Sequence, residues 1–217
     1  MQQNLFVLNA VDSIANQIFL ELRDHQTQLD RVRFRRNLVK LGEIMAYELS
    51  KGLNYQPVDV QTVLGSSSIS VPKDQPILAT IIRAGLPFLE GFLHLFENSD
   101  CGFVGAKRVK DGDEISASVG YTALGSIEGK ELIVVDPMLA TGNSILTALD
   151  LMLQNGSPEM LHLAFAIAAP EGLEQINKYL KIPHKIWVGA IDERLDHNGY
   201  IVPGLGDAGD LLFGNKI

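Results

Sequence analysis

From residue 57 onward the chain alternates short, unbroken apolar runs with amphipathic stretches of roughly 10–13 residues, and few folds accept that pattern. Residues 76–82, 101–106, 131–135, 161–168 and 186–191 read as strands, and residues 86–96, 144–153 and 171–180 as helices. A strand that is apolar throughout needs cover on both faces, and helices crossing between parallel strands supply it. The expectation is an α/β fold with a parallel central sheet flanked by helices. Ligands in such folds sit beyond the carboxyl ends of the strands.

The first third reads as helical. Ile14, Ile18 and Leu22 fall four apart after a Ser13 cap, and Leu38, Leu41, Met45 and Leu49 share one face of a second helix. Arg31, Arg33, Arg35 and Arg36 crowd the start of that helix, as a solvated face, a packing surface against acids, or an oligomer contact. Residues 107–127 are polar, Gly-containing and weakly alternating, which predicts a flexible flap or a plain exposed hairpin. No repeat or Pro/Ser-rich linker divides the 217 residues, so a single domain over 1–217 is expected.

Apolar residues make up 46% and charged residues 20%, which excludes a disordered chain. Eighteen Lys and Arg against 26 Asp and Glu leave a net charge of −8, and nucleic-acid binding needs the opposite, a basic footprint. The opening residues have no basic n-region or long apolar h-region, and no apolar run reaches the ~18–20 residues of a membrane span. A cytoplasmic protein is expected. The lone cysteine, Cys101, is read as a small buried hydrophobe, and the five histidines show no metal-ligand spacing.

Three segments carry chemistry. In the first, the strand Val134-Val135 delivers Asp136, then Pro137, Met138, Leu139, Ala140, Thr141, Gly142, Asn143 and Ser144 lead into a helix. Main-chain N–H groups at a helix N-terminus, with the hydroxyls of Thr141 and Ser144, suit a phosphate monoester. Asp136 stands where it can accept from sugar hydroxyls. No Lys follows Gly142, so this is no Walker A loop, and the GLGDAG string at residues 204–209 follows no long strand, which argues against a dinucleotide fingerprint. In the second segment, Arg83-Ala84-Gly85 ends the strand at Ile82, and an Arg there can grip an anion with its planar fork. In the third, residues 198–210 carry four glycines at 199, 204, 206 and 209 that bare main-chain donors and acceptors for a flat ligand.

Together these segments resemble the uracil phosphoribosyltransferase family of the type I phosphoribosyltransferases. The family's phosphoribosyl pyrophosphate (PRPP) loop, VDPMLATGGS, is matched from Val135 to Ser144 with Asn143 in place of a Gly; the RAG tripeptide at Arg83 and the YIVPGLGDAGD stretch from Tyr200 also match. The resemblance implies a type I phosphoribosyltransferase-like sheet with a flexible flap and a C-terminal base-binding loop over about residues 192–217. It implies PRPP binding by Arg83, Arg108, residues 136–144 and Asp207, and uracil binding by Ile201, Gly206, Asp207 and Ala208. Arg83, Asp136 and Asp207 would be the catalytic set. Mg²⁺ would arrive through PRPP and water, with no direct protein ligand, and the chain would form a homodimer or larger homo-oligomer. The string around Arg108 departs from the family's usual YRD or YRN, and Leu211 stands where many members have Arg. Two other readings stay open: a related phosphoribosyltransferase acting on another base, and a catalytically impaired PRPP-sensing or regulatory relative.

Overall fold

The computed structural model describes residues 4–111 and 114–214, and for residues 106–111 and 114–120 the backbone alone. Strand β1 (Leu5–Val7) precedes helices α1 (Ala15–Arg23) and α2 (Arg31–Ser50), followed by strands β2 (Tyr55–Gln61), β3 (Ser66–Pro72) and β4 (Ile77–Ile82). Helix α3 (Leu86–Leu93) leads to β5 (Cys101–Asp111) and β6 (Glu114–Ala123). The alternating part continues with β7 (Glu131–Leu139), α4 (Asn143–Met152), β8 (Met160–Ala168), α5 (Pro170–Tyr179) and β9 (His184–Ile191). Short strands β10 (Arg194–Leu195) and β11 (Ile201–Val202) come before α6 (Ala208–Phe213).

Seven strands form one sheet in the order β1-β9-β8-β7-β4-β5-β6, with every neighbouring pair parallel except β5 and β6. The expected α/β fold with a parallel sheet and flanking helices is the one observed. From β4 the chain moves to one side for β5 and β6, then returns to the other side for β7. The carboxyl ends of β4 and β7 therefore bound the topological switch point, where open α/β sheets leave a crevice for ligand.

Successive strand residues point to opposite faces, so each apolar strand feeds two cores. Leu78, Ile133 and Val135 pack with Leu38, Leu41 and Met45 of α2 and Phe88 and Phe92 of α3. Their neighbours Ala79 and Val134, with Leu163 and Phe165, pack with Ile145 and Leu149 of α4 and Ile176 of α5. Helix α2 opens on Asp30, whose carboxylate accepts the N–H groups of Val32 and Arg33 at 3.1 Å each. Its four predicted core residues are fully buried. In α1, Ile18 and Leu22 are buried but Ile14 is 76% exposed, because the helix begins one residue later; the Ser13 hydroxyl accepts the N–H of Ala15 at 3.3 Å.

Several features differ from the expectations. Strand β7 runs on through Asp136 to Leu139, four residues beyond its apolar core run. Past Val135 the pairing with β4 stops, although β4 itself runs on beside β5 to Ile82, and the ladder to β8 passes from Asp136↔Phe165 to Met138↔Ile167. Pro137, with no N–H to give, falls where β7 has an open edge. Strands β2 and β3 form a separate antiparallel hairpin that the alternating pattern does not announce. Within residues 107–127, β5 and β6 pair as an antiparallel hairpin out to Asp111↔Glu114, residues 112–113 lie outside the described residues, and Ile127 is fully buried. Cys101 is half-buried and unbridged; burial, with Asp100 adding to it, pushes its thiol pKa up, which makes it a poor nucleophile. Among the described residues, no helix is long and apolar enough to cross a membrane.

Candidate active site

Two strand ends build the floor of the switch-point crevice. At the end of β4, the buried Thr80 hydroxyl donates to the carbonyl of Val135 at 2.7 Å, tying that strand to the residue before Asp136. The turn that follows folds back over Thr80: a Cβ on Gly85 would lie 1.8 Å from its Oγ1, so only glycine fits. Arg83 stands exposed on this turn, after a cis Ile82–Arg83 peptide. At the end of β7, Gly142 takes φ +85°, the left-handed region, and turns the chain into α4. The first N–H groups of α4 have no carbonyl within the helix to receive them, and the dipole makes that end positive. The N–H of Asn143 donates to Thr141 Oγ1 over a long 3.4 Å.

The third wall is the segment after β9. Asp192 is 8% exposed and pairs with Arg23 through both carboxylate oxygens, at 2.6 and 2.8 Å. The same two side chains clamp Gly204: Asp192 accepts its N–H at 2.8 Å and Arg23 donates to its carbonyl at 3.0 Å. Asp196 accepts the N–H groups of Tyr200 and Asn198 at 2.8 Å each, and these bonds, that of Tyr200 foremost, hold its carboxyl below the usual range. Asp207 caps α6, accepting the N–H of Asp210 at 3.1 Å. Helix α2 reaches the far end of α6, where Arg35 donates from Nε and Nη2 to the Leu212 carbonyl at 3.0 and 2.6 Å. One of the crowded arginines is thus a fastener of the C-terminal segment.

The three walls enclose one cavity of about 220 Å³. Of the residues singled out from the sequence, Arg83, Asp136, Pro137, Met138, Leu139, Ala140, Thr141, Gly142, Ser144, Asp207 and Ala208 line it. Asn143 is exposed on α4 outside the lining; Ile201 is buried in the core; Gly206 is exposed, with φ +84°, and also lies off the lining. The Arg108 side chain lies outside the described residues, though its backbone pairs with Ala117 in the β5–β6 hairpin. Gly199 and Gly209 of the glycine-rich segment line it as well, and the cavity adds Ile81, Ile82, Ala84, Ile145 and Tyr200, to which the sequence assigns no role.

An anion cradle, a strand-end carboxylate, an arginine fork and a glycine-rich wall thus share one cleft. The uracil phosphoribosyltransferase family model matches residues 12–215. The chain belongs to the uracil phosphoribosyltransferase family. A protein of that name from Porphyromonas gingivalis is 44% identical over 97% of this chain and 98% of its own length. The one from Pyrococcus furiosus is 38% identical over 93% of this chain and 86% of its own. Among solved structures, the AQ2163 protein of Aquifex aeolicus is similar over 98% of this chain and all of its own, at 34% identity and a TM-score of 0.81. The family match spans all three walls of the cleft, from Arg23 to Asp207.

Proposed function

We propose that this family member transfers the phosphoribosyl group of PRPP to uracil in the β4–β7 cleft, giving uridine monophosphate and pyrophosphate. The observation that carries the reading is the meeting of the 136–144 loop, Arg83 and Asp207 in one cavity at the switch point. The loop N–H groups and the Thr141 and Ser144 hydroxyls hold the 5-phosphate, and Asp136 accepts from the ribose hydroxyls. Arg83 takes the pyrophosphate, and Arg108 joins it by family resemblance. The bond from ribose C1 to the pyrophosphate oxygen breaks, the bond to uracil N1 forms, and the N1 proton is released. Positive charge develops at C1 while negative charge gathers on the departing oxygens, where Arg83 meets it.

Asp207 stands between the two ligands. Main-chain groups of the C-terminal wall, where Asp207 and Ala208 line the cleft, read the uracil edge, and Ile201 and Gly206 join them by family resemblance. Catalysis is mostly positioning and electrostatics, with water kept out once both ligands fill the cleft.

Mg²⁺ fits this site as a companion of the substrate. The carboxylates lining the cleft, Asp136 and Asp207, come from separate segments, and among the described residues no three His, Cys, Asp or Glu gather into a cage. A small, strongly hydrated cation bound by phosphate oxygens and water suits that donor set. When bound, the ion neutralises charge growing on the pyrophosphate.

Formation of uridine monophosphate and pyrophosphate from uracil, PRPP and Mg²⁺ tests the reading; a folded protein that makes neither contradicts it. Arg83→Lys keeps the charge and loses the fork, so kcat/KM should fall roughly 10- to 100-fold, the equivalent of about 1.5–3 kcal/mol. Near-normal kcat/KM in that variant would make Arg83 peripheral.

We further read the chain as a homodimer or larger, working in the cytoplasm without nucleic acid or membrane. The support is the β2–β3 hairpin, where Val63 and Leu64 are each 99% exposed and Val58, Val60 and Ile69 are also open. A second copy covering these side chains would remove apolar surface from water. Sedimentation should show a dimer or larger at micromolar concentration; a monomer there would overturn the assignment.

A further inference from the structure

Arg83 raises a physical question of its own. Its side chain is exposed, and among the described residues no hydrogen bond or ion pair holds its guanidinium. A long, loose side chain loses rotamer freedom on gripping an anion, so a ready-placed arginine binds better than a wandering one. A carboxylate neighbour could place it, but only by occupying the donors that the pyrophosphate needs. The structure offers another means. The Arg83 guanidinium carbon lies 5.6 Å from the ring centroid of Phe213, the last residue of α6. An aromatic ring attracts a guanidinium through its face and takes none of its N–H donors, which stay free at the edge.

The ring is itself secured. The Arg35 guanidinium carbon lies 5.7 Å from the same centroid, and its Nε and Nη2 are both committed to the carbonyl of Leu212, one residue before. We propose that Phe213, fastened by Arg35, is a positioning residue that poises Arg83 for the pyrophosphate of PRPP. Helix α6 then serves both ligands: Asp207 caps its start at the cleft, and Phe213 at its end sets the reach of Arg83. The inference rests on Arg83 acting on PRPP, as proposed above.

A double-mutant cycle between Phe213→Leu and Arg83→Lys, with Phe213→Tyr as the conservative control, separates the two claims. Phe213→Leu should raise the KM for PRPP roughly three- to tenfold while the KM for uracil stays within twofold. Phe213→Tyr, which keeps a ring face, should restore the PRPP KM. In the Arg83→Lys background, Phe213→Leu should change the PRPP KM by less than twofold, because the planar fork that the ring orients is gone. An unchanged PRPP KM in Phe213→Leu, with Arg83→Lys impaired, overturns the positioning role and leaves the Arg83 assignment standing. So does a rise of equal size in both KM values, or an effect that persists undiminished beside Arg83→Lys, since either marks Phe213 as a general support of α6. If Leu fails to fold, failure of Phe213→Tyr to keep the wild-type PRPP KM at an unchanged melting temperature overturns it as well. Normal kinetics in Arg83→Lys overturns both claims together.

Discussion

Removing both hydroxyls from the anion cradle, as Thr141→Ala with Ser144→Ala, should raise the KM for PRPP by about 10²- to 10⁴-fold and leave the fold intact. Each hydroxyl donating to a phosphate oxygen makes a charge-assisted bond worth roughly 1.5–3 kcal/mol, and two together give that range. The fold is spared because neither side chain is part of the core. Thr141 is exposed and contributes one long 3.4 Å bond to its own loop, while the turn into α4 is made by Gly142 and its φ of +85°. The Leu146 N–H still reaches the Gly142 carbonyl at 3.0 Å. Steady-state kinetics at saturating uracil, beside thermal unfolding, measures both halves of the prediction. Unchanged PRPP affinity in the folded double variant would move the phosphate elsewhere.

Cutting the clamp behind the third wall should cost stability as well as base binding. Asp192→Ala removes both acceptors of the Arg23 fork and the acceptor of the Gly204 N–H. Losing one partner of a buried pair costs about 3–5 kcal/mol, and the quarter exposure of the Arg23 side chain brings the expectation here to the lower end. For a domain of this size each kcal/mol moves the melting temperature about 2–4 °C, so a fall of roughly 6–12 °C is expected. Because Gly204 sits between Ile201 and Asp207, the KM for uracil should rise more than that for PRPP. A variant melting within a degree of the parent, with both KM values unchanged, would show that the clamp supports neither.

How much of this could be read from the residues varies with the physical cause. The β7–α4 segment was legible because its strand is apolar on both faces and its turn is spelled by Gly and hydroxyls, so pattern and chemistry coincide at Asp136. Its extension to Leu139 was not, since Pro137 reads as a breaker unless it is known that the pairing with β4 stops at Val135. The β2–β3 hairpin escaped because its residues are exposed along nearly their whole length and carry no core-facing alternation. Strand β1 is three residues long and is defined by its pairing with β9, a contact between the two ends of the chain.

In the cleft, Arg83, Asp136, Thr141, Ser144 and Asp207, all singled out from the sequence, line one cavity. Those that serve through distant packing were not legible in the sequence. Nothing local in the sequence says that Arg23 and Asp192 meet, or that Arg35 reaches the Leu212 carbonyl, because each pair is 169 or more residues apart. The arginine cluster of α2 reads equally as a solvated face, a packing surface against acids or an oligomer contact, and the fold alone turns Arg35 toward the end of the chain.

The central claim is that main-chain groups of the C-terminal wall choose the base while the β4 and β7 ends hold PRPP. Uracil presents two carbonyl acceptors flanking one N–H donor, and cytosine replaces one of those carbonyls with an amino donor. Against a fixed main-chain edge, cytosine sets donor against donor out of reach of water, at about 1–3 kcal/mol for the unmade bond and more for the facing like pair. The deciding measurement is kcat/KM for uracil, cytosine, hypoxanthine and orotate with saturating PRPP and Mg²⁺. The account predicts uracil to exceed cytosine by at least ~100-fold, with hypoxanthine and orotate no better than cytosine. Comparable efficiencies for uracil and any of the other three would contradict it.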